Sequence, residues 1–71
     1  MTQFLLSFDT DYKASVLELL RAAKGVRLVS APAADGTVRI EIKAPNLDDE
    51  TTLLRSVEEI PGVLDVRVQR N

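Results

Sequence analysis

The side chains able to do chemistry in this 71-residue chain are carboxylates, lysines, arginines and a single tyrosine, because it contains no cysteine and no histidine. That removes disulfides, thiolate and imidazole catalysis, and the common nitrogen and sulfur metal ligands. Oxygen-ligated metals remain, and the densest acidic run is Asp48-Asp49-Glu50. A calcium loop needs oxygen ligands at alternating positions around a central glycine, with a distal glutamate, and that spacing is not here. The run reads instead as a helix start, where negative charge suits the helix dipole. Neither the other acids nor Tyr12 is spaced to converge on a pocket with an orienting partner. The expectation is a protein that is not an enzyme and uses no cofactor and no metal.

Nine basic and eleven acidic residues leave a formal charge of −2, too little basic field to hold a phosphate backbone, so nucleic acid is not an expected partner. Hydrophobic residues at 45% and charged residues at 28% match a folded soluble chain. A single domain over residues 1–71 is expected, burying only about 60% of its unfolded surface and leaving little room for a deep pocket. The opening MTQFLLSFDTDYK has no positive leader and no run of the roughly 20 apolar residues that cross a bilayer. It is read as cytoplasmic, without a signal peptide and without a membrane partner.

The elements that must position these side chains follow from periodicity. Thr37 to Ala44 alternates strictly, with Val38, Ile40, Ile42 and Ala44 against Thr37, Arg39, Glu41 and Lys43, as in a strand with one buried face. Gln3 to Phe8 repeats the pattern, with Phe4, Leu6 and Phe8 inward. Asp9, Thr10 and Asp11 all offer cap acceptors for a helix from Tyr12, whose stripe is Val16, Leu19, Leu20 and Ala23 with Leu17 on its flank. Gly25 ends that helix. Val26 to Ser30 reads as a short strand, and Asp35-Gly36 turns the chain into Thr37. Asn46 or Asp48 caps a second helix with Leu53, Leu54, Val57 and Ile60 on its apolar face, ended by Pro61-Gly62. In the last strand Leu64, Val66 and Val68 alternate with Asp65, Arg67 and Gln69.

The order strand, helix, strand, strand, helix, strand predicts an α+β ferredoxin-like βαββαβ fold: a four-stranded antiparallel sheet with both helices on one face. The first and third strands are central, the second and fourth are edges. The other sheet face is bare and mostly polar, and it carries two apolar residues, Leu5 and Val29. Isolated exposed apolar residues are ordinary. A flat mixed surface and two unpaired edges nevertheless suit a docking helix, an added strand or a second copy of the chain as a homodimer.

The stretch GVRLVSAPAADGTVRIEIKAP, followed by an acidic cap and LLRSVEEIPGVLDVRV, resembles the NapD family of cytoplasmic chaperones for periplasmic nitrate reductase maturation. The features carrying the likeness are Ala31-Pro32, Gly36, the Val38 to Ala44 alternation, Ser56-Val57, and Gly62-Val63-Leu64 with Val66. They span about two thirds of the chain, from Gly25 onward. The resemblance implies recognition of a twin-arginine signal peptide docked as a helix on the open sheet face. Candidate contacts are Leu5, Val29, Arg39, Glu41, Asp65 and Arg67: the two acids for peptide arginines, Leu5 and Val29 for its apolar side. The same charges also read as a solvated face balanced by Arg39, Lys43 and Arg67.

Heavy-metal-associated domains end similarly, but they bind metal through a cysteine pair where this chain has Asp9-Thr10-Asp11-Tyr12. An ACT-like regulatory domain binding a small molecule shares the element order, and a designed scaffold without biochemical function is the remaining alternative. The irregular SAPAAD connection and the KAPN exit are unusual choices for such a scaffold.

Overall fold

The computed structural model of the chain describes residues 2–69, so positions 1, 70 and 71 of the expected 1–71 domain lie outside the described residues. In chain order the elements are β1 (Thr2–Phe8), a 3-10 turn (Thr10–Tyr12), α1 (Lys13–Ala22), β2 (Val26–Leu28), β3 (Thr37–Ile42), α2 (Leu47–Glu58) and β4 (Val63–Val68). The strands form one antiparallel sheet in the order β2-β3-β1-β4, with β1 and β3 central as expected.

The apolar residues of the central strands go where the alternation implies, although Glu41, expected on the wet side of β3, is buried as well. Phe4, Leu6, Phe8, Val38, Ile40 and Ile42 are buried and meet Val16, Leu17 and Leu20 of α1 and Val57 of α2 in one core. Leu53, Leu54 and Ile60 pack half-buried against it. Each connection is held by local chemistry. Asn46 Oδ1 accepts from the Asp49 N–H at 2.8 Å and caps α2, which settles the choice left open between Asn46 and Asp48. Asp35 Oδ1 accepts from both the Thr37 N–H (3.2 Å) and the Thr37 hydroxyl (2.7 Å), closing the turn before β3. Gly36 there has φ +88°, a left-handed value that favours glycine.

Several sequence expectations are corrected. Asp9 caps the 3-10 turn, accepting from the Asp11 N–H at 3.0 Å, while α1 begins one residue after Tyr12 with no side-chain cap. Leu17 is buried in the core, and Leu19, placed in the stripe by spacing, is 46% exposed. Both residues flank the Val16–Leu20 line, and the side from which the sheet approaches decides between them. The short strand ends at Leu28 and not at Ser30, because the Ser30 hydroxyl takes the next ladder position, accepting from the Arg39 N–H at 3.3 Å. The third strand stops at Ile42, two residues before Ala44.

Leu64 is corrected as well. Ser7 pairs with Asp65 but Phe8 pairs with Val63, so Leu64 is an extra residue at a register shift and is 70% exposed. Val63 takes the inward place, packed against the core.

Candidate binding face

The face away from the helices is organised in rows across the strands. Leu5 of β1 stands opposite Arg39 of β3 on one side and Arg67 of β4 on the other. Beyond Arg39, Val29 continues the row: its N–H donates to the Arg39 carbonyl at 2.9 Å, one step past the end of β2. Four of the six candidate residues therefore form a single line, Val29, Arg39, Leu5, Arg67, running the width of the sheet. Directly opposed side chains in neighbouring strands share a face at about 5 Å spacing, so a ligand lying along this line meets apolar and cationic groups in alternation.

The two candidate acids sit in the flanking rows. Glu41 lies between Arg27 on β2 and Gln3 on β1, and Asp65 lies opposite Ser7, itself opposite Thr37. Neither carboxylate is unengaged. Glu41 is 8% exposed, the one buried charged residue among those described, and its Oε1 lies 3.3 Å from Arg27. Asp65 Oδ2 accepts from Arg67 Nε at 2.6 Å. The picture of carboxylates waiting for peptide arginines is thereby changed: each already holds one of the protein's own.

Arg27 and Ser30 are the residues sequence reasoning passed over. Arg27 covers Glu41, and Ser30 holds Arg39 and Val29 in register. Both act through neighbours on another strand, and only the β2–β3 register reveals those neighbours. With Arg39 and Lys43 added, the described residues of the face bring four cations against two carboxylates, although the whole chain is net negative. At the β2–β3 end, Gly25, Val26, Arg27, Glu41 and Lys43 line an open hollow.

Among the described residues no three acidic side chains gather in a way that would hold a metal ion. No described helix is long and apolar enough to cross a membrane.

Element order, strand order and helix placement define the ferredoxin-like class of α+β proteins. Within it, the solution structure of the E. coli Tat proofreading chaperone protein NapD is similar, with a TM-score of 0.89 over 99% of this chain and 74% of that one, at 17% sequence identity. A likeness at that identity carries the fold, and function has to be argued from the site. No protein-family model matches the chain, and no curated protein matches it either.

Proposed function

We propose that this protein is a peptide-binding chaperone of the cytoplasm whose open sheet face receives a twin-arginine signal peptide during maturation of an exported enzyme. The observation that carries the reading is the row Val29, Arg39, Leu5, Arg67 on a face that no described helix covers, together with the fold shared with a Tat proofreading chaperone. The apolar side of a helical peptide lies on Leu5 and Val29. Its arginines exchange into the places now held by Arg27 and Arg67, at Glu41 and Asp65.

Such an exchange trades one ion pair for another, so it contributes selectivity more than affinity. The strength of binding then comes from the two apolar contacts, and Arg39 is left to meet peptide carbonyls or carboxylates. Modest affinity that weakens with salt is the consequence. A chaperone that must later release its peptide is served by that balance.

The test is an NMR titration of the folded chain with a twin-arginine peptide and with its twin-lysine counterpart. Amide shifts concentrated at Leu5, Val29, Arg39 and Arg67, stronger for the arginine peptide because guanidinium matches carboxylate geometry, support the reading. Unchanged spectra with peptide in large excess dismiss it.

A further inference from the structure

We propose that β4 pairs edge to edge with β4 of a second copy of the chain, antiparallel and centred on Val66, joining two four-stranded sheets into one. This concerns the edge of the sheet and not its face, so its failure leaves the peptide reading untouched.

β4 is one of the two outer strands and runs six residues, Val63–Val68. The other, β2, has only three and runs into the irregular Ser30 to Pro32 connection. A long strand edge usually carries a lysine, a proline or a covering loop that blocks further pairing. Within Val63–Val68 there is neither lysine nor proline, and Leu64 and Val68 are 70% and 48% exposed. The register shift sits at the start of the strand, leaving Asp65 to Val68 in regular pairing with β1.

The sequence of this edge, Leu64-Asp65-Val66-Arg67-Val68, is complementary to its own reverse. When two such strands run antiparallel about Val66, Leu64 meets Val68 of the second copy, Asp65 meets Arg67, and Val66 meets Val66. A two-fold axis requires this self-complementarity, since every contact occurs twice. The backbone agrees. The Gln69 N–H donates to the Gln3 carbonyl at 2.8 Å, so by the alternation of an antiparallel ladder Arg67 also turns its backbone groups toward β1. Val66 and Val68 therefore turn theirs to the open edge, where Val66 exchanges both bonds with the second copy's Val66 and Val68 meets its Leu64. Asp65 and Arg67 then fall at the non-hydrogen-bonded positions, where opposed side chains approach most closely.

Within one chain Arg67 already holds Asp65, both well exposed. Pairing lets each carboxylate share a guanidinium from either copy. In the joined sheet both open faces lie on the same side, with the two Leu5–Arg67 rows brought next to each other. The short ladder and the solvent-exposed charges make a weak, reversible dimer the expectation.

Sedimentation equilibrium of the full chain at low ionic strength, in a concentration series up to ~1 mM, tests this with two charge reversals, Asp65→Arg and Arg67→Asp. The wild-type chain should form a dimer, and each variant alone, facing like charges at both contacts, should associate about tenfold or more weakly. Circular dichroism checks that both variants fold. Mixing the two in equal amounts should restore association, because arginines at both positions of one variant then face aspartates at both positions of the other. A wild-type chain that stays monomeric throughout, variants that dimerise as tightly as wild type, or a mixture no more associated than its components would each overturn the proposal.

Discussion

Arg27 and Glu41 stand directly opposite each other on β2 and β3, with the guanidinium 3.3 Å from a carboxylate that is only 10% exposed. The arginine itself stays 72% exposed, so the pair is asymmetric: its negative half is covered and its positive half is wet. Removing the cover and removing the charge are consequently different experiments. Arg27→Ala leaves a covered carboxylate without its partner and should cost about 1 kcal/mol, discounted for solvent at the arginine end. Glu41→Gln removes the charge that needed covering and should cost less. Urea unfolding of both variants and of the double variant measures the difference, and a Glu41→Gln chain less stable than Arg27→Ala would show that the covering is not electrostatic.

Leu17 and Leu19 offer the sharpest contrast between spacing and packing. Leu17→Ala empties part of a closed core and should cost about 2–5 kcal/mol, a large share of the roughly 4–10 kcal/mol expected for a chain of this length. Leu19→Ala, at a site nearly half exposed, should cost under about 1 kcal/mol. Thermal unfolding separates them readily, since 1 kcal/mol moves the midpoint by about 4–8 °C in a domain this small. Equal effects would mean that α1 is rotated from the orientation described.

Gly62 joins α2 to β4 at φ +98°, and a Cβ added there would lie 2.5 Å from the Tyr12 Cβ and 3.0 Å from Val16 Cγ2. The Gly62 carbonyl also accepts from the Asp9 N–H at 2.7 Å, so the turn cannot shift without loosening the end of β1. Gly62→Ala combines a left-handed backbone with a clash against a Cβ that has no rotamer to escape into. It should cost about 2 kcal/mol or more, measured by denaturant midpoint, whereas an unchanged midpoint would mean that the turn has another conformation open to it.

Val29 and Leu5 lie two strands apart in one row, and that separation gives the peptide reading its own mutational signature. Val29→Asp changes an exposed position beyond the end of β2 and should leave stability within about 0.5 kcal/mol. Peptide affinity should fall about tenfold, because a desolvated apolar contact becomes a charge. Isothermal titration calorimetry on a variant with a wild-type unfolding curve decides it; full affinity would remove Val29 from the site.

How far the chain could be read without its fold differs element by element. The alternation of Val38, Ile40 and Ile42 marked the inner face of β3 because a strand's two-residue period comes from backbone geometry alone. Asp35-Gly36 and Pro61-Gly62 marked turns for the same local reason. Strand parity alone puts Leu5, Val29, Arg39 and Arg67 on the open face. Their alignment in one row was not legible, since it depends on the offset between strands far apart in sequence.

The amino-acid order by itself determined the four strands and two α-helices and their order, the apolar side of each central strand and the bare side of the sheet. These follow from repeats and turn residues whose effects reach only a few positions. Tertiary structure alone decided that Leu17 and not Leu19 enters the core, that Leu64 is squeezed out at a register shift, and that Glu41 already holds Arg27. Each of those outcomes depends on where one element lies against another, and that relation is set by packing the whole core at once.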